Sequence, residues 1–258
     1  MSTDSSSKSI DRCRTRVLGA IMAYAILSMS PIGVAAQVLD PPVFTPGLHH
    51  LKLQRTDEPA IDYAISIPSG YSSERPVPLV LALHFGVGRR DPIGAGRDAV
   101  QILFGPALEE LGAIIVAPDS VRGSWRSPEN EKAVNALLDM VLANYSIEKN
   151  KVAVTGYSMG GAGSWHFAEK FPGRFSAAIP VSGTPPASAS GWRLPVLAIH
   201  SLDDQVAPYA PTAARIAELQ KAHVNARLVP LTHTSHHEIH GFRDALRQAV
   251  PWLREVWK

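Results

Sequence analysis

The sequence predicts an α/β fold: a mostly parallel central sheet flanked by helices. Three observations carry this. Near-continuous apolar runs stand at residues 78–84 (PLVLALH), 113–118 (AIIVAP), 151–155 (KVAVT), 177–181 (AAIPV) and 195–200 (PVLAIH). Runs of that kind suit strands covered on both faces, as in a parallel sheet. Helical periodicities fill the gaps between them, and a chain of 258 residues with 45% hydrophobic content suits one sizeable domain.

The elements follow in order. Residues 50–55 and 61–68 read as two leading strands, the second closed by the turn signal Pro68-Ser69-Gly70. A helix is predicted over 98–111, with apolar residues at 100, 103, 104, 107, 108 and 111. Another is predicted over 129–144, apolar at 133, 134, 137, 138, 141 and 142, behind the start signal Ser127-Pro128. Further helices are expected over 161–171, 211–223 and 242–257, with a last strand at 226–231. Strands alternating with helices imply right-handed crossovers, and ligands then bind at the carboxyl ends of the strands.

Residues 1–36 differ from the rest. Arg12, Arg14 and Arg16 precede an uncharged run at 17–29 (VLGAIMAYAILSM), and Val34-Ala35-Ala36 follows before Gln37. Basic, then apolar, then small is the order of a secretory signal peptide. The run is short of the roughly 20 residues a membrane span needs. The expectation is a signal at 1–36, a catalytic domain at 37–258, a secreted or periplasmic location, and no stable membrane insertion after cleavage. The formal charge of +2 comes from the signal, so nothing in the charge balance points to nucleic acid. The single cysteine, Cys13, also lies there, which leaves the domain without a disulfide.

The chemistry starts at Gly156-Tyr157-Ser158-Met159-Gly160. Ser158 follows a predicted strand and opens a predicted helix, and glycines two before and two after let neighbouring backbones approach. That is the pattern of a nucleophile elbow. A serine hydroxyl needs a histidine base, and the histidine needs an acid to fix its tautomer. Two carboxylates, Asp203 and Asp204, stand in the loop after the run at 195–200, with Asp119 a distant alternative. The base belongs among His233, His236, His237 and His240 in LTHTSHHEIH, with His237 favoured, then His236, then His240. His-Glu-Ile-His lacks helical zinc spacing and has no acidic or cysteine cluster beside it, so neither a metal nor another cofactor is expected. An oxyanion hole would use the N–H of Met159 and that of Phe85 or Gly86, in the loop after 78–84.

Read together, IPSGYSSERPVPLVLALH, KVAVTGYSMGGAGSWHFAEKFPGRFSAAIPVSG, LAIHSLDDQVAPY and HHEIHGFRDALRQAVPWL resemble the α/β-hydrolases. More narrowly, they resemble secreted esterases related to polyhydroxybutyrate depolymerases, feruloyl esterases and the phospholipase/carboxylesterase group. The resemblance runs from about residue 50 to the C-terminus. It implies an α/β-hydrolase fold without a large lid domain, an ester hydrolase with a Ser-His-Asp triad, and no cofactor. Its register lands on Ser158, Asp204 and His237. Three positions depart from the pattern: Phe85 stands where glycine usually follows the strand histidine, Ser201 replaces another glycine, and His236 stands where glycine would precede the base.

The expected substrate is a small-molecule or polymer-end ester. Trp125 is a candidate wall of its cleft, where an aromatic would suit a planar acyl group, with simple packing the alternative; Trp165 reads as core. Arg89 and Arg90 could meet an anionic substrate or simply be solvated. The competing readings are a serine peptidase on small peptides, an acyltransferase, and a non-catalytic binding protein on the same fold. Oligomeric state is not legible.

Overall fold

The computed structural model describes residues 42–88 and 90–258. The expected signal at 1–36, and Arg89, lie outside the described residues. Eight strands form one sheet: β1 (Gly47–Arg55), β2 (Glu58–Ile67), β3 (Val77–Leu83), β4 (Ile114–Pro118), β5 (Ile147–Tyr157), β6 (Ala177–Val181), β7 (Val196–Ser201) and β8 (Ala226–Leu231). Their spatial order is β1-β2-β4-β3-β5-β6-β7-β8. β1 pairs antiparallel with β2, and β2 antiparallel with β4; every later pairing is parallel.

The apolar runs have a direct cause in this arrangement. Side chains alternate across a strand, so a strand covered on both faces needs apolar residues at every position. On β3, Leu79, Leu81 and Leu83 enter one core, while Val80 and Ala82 enter the other. The first core is closed by α3 (Pro128–Asn144), α4 (Met159–Lys170) and α5 (Tyr209–Lys221), through Leu137, Phe167 and Leu219 among others. The second is closed by a helical run between β3 and β4 and by two C-terminal helices.

Both of those helical segments differ from the sequence expectation, and proline is the reason in each. The first run comprises α1 (Ala95–Ala99), a π-helical stretch (Val100–Phe104), α2 (Gly105–Leu108) and a 3₁₀ turn (Glu109–Leu111). Pro106 offers no N–H and its ring crowds the carbonyl four residues back, so the helix widens just before it. The expected helix 242–257 is two helices, α6 (Ile239–Leu246) and α7 (Ala249–Val256), because Pro251 is tolerated only in a first turn. Among the described residues no helix is long and apolar enough to cross a membrane.

Candidate active site

The carboxyl ends of β5, β6, β7 and β8 bring the polar residues together. Ser158 lies between β5 and α4 with φ 58° and ψ −115°, a conformation costly for a residue with a side chain. Close packing maintains it. A Cβ on Gly156 would lie 2.1 Å from Gly160 O, and one on Gly160 would lie 2.0 Å from Leu83 O. The glycines flanking Ser158 are therefore obligatory, and the hydroxyl stands half-exposed at the end of the sheet.

Ser158 Oγ is 2.8 Å from His236 Nε2, and His236 Nδ1 is 2.7 Å from Asp204 Oδ2. The histidine that meets the serine is thus His236 and not the expected His237, which is exposed. The cause lies in how the loop is held. Tyr157 donates its hydroxyl to the His236 carbonyl, and its ring stacks on the imidazole with centroids 5.6 Å apart. Ser201 donates to Thr234 O, and Asp203 Oδ2 accepts the His233 N–H at 2.7 Å. Pinned at 233, 234 and 236, the loop turns residue 236 inward and residue 237 outward. Ser201, one of the departures from the family pattern, is one of the pins.

Asp204 is 5% exposed and Asp203 is exposed. Burial by itself raises the Asp204 carboxyl, but hydrogen bonds from His236, Ser182, Ala207 and Val206 outweigh it and hold the group below the usual carboxylate range. Burial and the Asp204 charge push the Tyr157 phenol up, so it remains a donor at any working pH. Asp119, the distant alternative, is used elsewhere: its carboxylate accepts the Gly94 and Gly96 N–H groups at 2.6 and 2.7 Å.

The β3 exit supplies the other side of the site. Ser120 N–H donates to His84 Nε2 at 3.0 Å, so the His84 proton sits on Nδ1, 2.6 Å from Phe85 O. Holding that carbonyl turns the N–H of the same trans peptide, that of Gly86, the opposite way. Gly86 faces α4, where a Cβ on it would lie 3.9 Å from Met159 Cβ. A cavity of about 440 Å³ opens here, lined by Gly86, Val87, Arg90, Val121, Arg122 and Met159 among others. Among the described residues no cluster of three metal-ligating side chains occurs.

Trp125 does not line that cavity. It is 0% exposed, its Nε1–H donates to His84 O at 2.9 Å, and its ring meets the His84 ring edge-on. The expectation of a substrate wall is corrected accordingly: Trp125 supports the β3 exit from beneath, because its indole finds a backbone carbonyl only by turning into the core.

The dienelactone hydrolase family profile matches residues 118–249, just over half of the chain. The chain belongs to the dienelactone hydrolase family. Within it, the matched span runs from the end of β4 to the start of α7 and includes Ser158, Asp204 and His236. A probable feruloyl esterase C of Aspergillus terreus is 26% identical over 199 residues, covering 75% of this chain and 68% of its own. The feruloyl esterase C of Emericella nidulans is 28% identical over 152 residues, covering 57% of this chain and 56% of its own. The chain thus spans little more than half of the second relative. Among solved structures, a thermostable esterase superposes with a TM-score of 0.67 at 23% identity, covering 81% of this chain and 62% of that one. The Staphylococcus aureus fluorophosphonate-binding serine hydrolase FphF gives 0.65 at 15%, covering 81% and 98%. These likenesses show an α/β-hydrolase fold.

Two side chains of this family member's site went unread in the sequence. Ser182, at the end of β6, places its hydroxyl on Asp204 Oδ2 and 3.3 Å from His236 Nδ1. Tyr157 is the variable residue of the elbow pattern. Neither position has a spacing rule that announces it. The available signal for Ser182 is a serine directly before Gly183 at a strand exit.

Proposed function

We propose that this chain is an exported serine esterase that cleaves carboxylic esters through an acyl-enzyme. The observation that carries this reading is the continuous contact from Ser158 Oγ to His236 Nε2 and from His236 Nδ1 to Asp204 Oδ2. Ser158 attacks the ester carbonyl while His236 Nε2 takes its proton. Asp204 holds the tautomer with the proton on Nδ1 and stabilises the imidazolium. The N–H of Met159 and a donor from Phe85 or Gly86 take the oxyanion. His236 then protonates the departing alcohol, and water repeats the sequence on the acyl group. The chain's own residues supply every step, so the reading needs neither metal nor cofactor.

Ser182 is not the nucleophile in this account. It is wholly buried and faces the Nδ1 side of His236, whereas Ser158 is half-exposed and faces Nε2. The substrate is a small-molecule or polymer-end ester. The 440 Å³ cavity beside Met159 is of the size that takes an aromatic acyl group, and the feruloyl esterase relatives favour that class. The basic, apolar and small-residue order of 1–36 supports export.

The test is hydrolysis of nitrophenyl esters from acetate to octanoate, with a ferulate ester beside them, by the wild-type protein and by Ser158→Ala. Activity abolished in the variant is expected. A folded wild-type protein inert on every ester overturns the reading: in favour of a serine peptidase if a fluorophosphonate labels Ser158, and of a binding protein if it does not.

A further inference from the structure

Asp204 carries a full set of donors. Its Oδ1 accepts the N–H groups of Val206 and Ala207 at 2.9 and 2.7 Å, and its Oδ2 accepts His236 Nδ1–H and the Ser182 hydroxyl. A carboxylate offers about four lone-pair sites, and all are taken. Ser182 is the side chain that touches both partners of the acid–base pair.

Its backbone is equally telling. Ser182 has φ 47°, in the left-handed region that glycine enters freely and an L-residue enters under strain. The chain cannot relax there. Ser182 N–H donates to Ile199 O at 2.8 Å, and the next residue, Gly183, presses on the first turn of α4, where a Cβ would lie 2.2 Å from Ala162 N. Glycine would fill position 182 without strain and without a cavity worth noting. A serine held there, 0% exposed, with its one polar atom on the acid, is kept for its hydroxyl.

We propose that Ser182 is a positioning residue of the reaction: its hydroxyl ties Asp204 to His236 and, by drawing charge from the oxygen they share, sets the lower pH limit of activity. The inference rests on the serine-esterase reading above. Other groups face the pair but do not replace this contact. His200, at the end of β7, lies 3.5 Å from Asp204 Oδ2, yet its Nε2–H is given to Ala207 O at 2.7 Å. Tyr157, from β5, donates to a backbone carbonyl. His237 meets the His236 ring edge-on at 5.4 Å.

The direction of the effect follows. A donor on a carboxylate stabilises its charge and weakens its pull on a neighbouring imidazolium. With the hydroxyl gone, Asp204 pulls harder on the imidazolium, and the acid limb of activity moves to higher pH. The imidazole also loses one of its restraints.

The test is the pH dependence of kcat/KM on a nitrophenyl ester for the full chain and for Ser182→Gly, Ser182→Ala and Ser182→Cys. Ser182→Gly removes hydroxyl and strain together, Ser182→Ala removes the hydroxyl alone, and Ser182→Cys keeps a weak donor. The expected result is an acid limb moved up by roughly half a pH unit in the Gly and Ala variants, less in Cys, with kcat lowered several-fold and KM unchanged. A merely structural serine would lower Tm without moving the limb. An acid limb coincident with wild type in every folded variant, or all three variants failing to fold, which would make the hydroxyl a fold requirement, overturns the inference. Wild-type protein without esterase activity refutes the parent reading instead, so the two failures are distinguishable.

Discussion

Replacing Trp125 by Phe separates support of the site from contact with substrate. The indole N–H that reaches His84 O is removed, and the phenyl ring that replaces it carries no donor. An acceptor left unpaired in the interior costs about 1–3 kcal/mol. The smaller ring also leaves core space that the wholly buried indole filled, and the partial truncation adds about 1–2 kcal/mol. The sum is about 2–5 kcal/mol, which for a domain of this size lowers Tm by roughly 5–20 °C. His84 lies at the start of the proposed oxyanion loop, so kcat should fall as well, and by a similar factor on every ester. Thermal unfolding and a comparison of nitrophenyl butyrate with a ferulate ester check both parts. An unchanged Tm with KM raised for the ferulate alone would refute the reasoning and restore Trp125 as a substrate wall.

Two more expectations follow from the same geometry. Gly160→Ala would drive a Cβ to 2.0 Å from the Leu83 carbonyl, a backbone atom that cannot swing aside, so the variant should be insoluble or inactive; a soluble variant with wild-type turnover would contradict the packing argument. Burial pushes both His84 and His200 below the ordinary value of 6.5, opposed only in part by their backbone hydrogen bonds and the carboxylates of Asp119 and Asp204. In the unfolded chain these rings bind protons near pH 6.5, while in the folded chain they resist. Their contribution to stability is therefore complete above that pH and lost as pH falls below it toward their folded values. The lowered Asp204 adds a loss at still lower pH, below about 3.8, whereas the raised Asp119 acts in the opposite sense as its proton binds. Tm measured at pH 7.5 should exceed Tm at pH 5.5, and equal values would count against two buried neutral imidazoles.

All eight strands were legible in the sequence because a strand buried on both faces has to be apolar throughout, and the two leading strands alternate. The helix breaks were not, because the spacing at 98–111 and 242–257 continues in phase through Pro106 and Pro251. The elbow could be read because Gly156 and Gly160 are forced by backbone contacts at about 2 Å. Asp204 was reachable through its place after a strand. The base was not, since His236 and His237 are neighbours that differ only in which way the loop turns them. Tyr157, at the end of β5, and Ser201 and Asp203, at the exit of β7, decide that turn from two other parts of the chain. Trp125 stayed open between cleft wall and packing for a related reason: a position after a strand tells where a side chain starts, and a partner carbonyl tells where it points.

The most direct measurement is turnover of a nitrophenyl ester by His236→Asn and His237→Asn side by side with wild type. The account predicts a loss on the order of a thousandfold or more for His236→Asn, as for removal of a general base from a triad, with His237→Asn within about threefold of wild type, as for a surface side chain outside the proton path. Retained activity in His236→Asn, with the loss in His237→Asn, would contradict it.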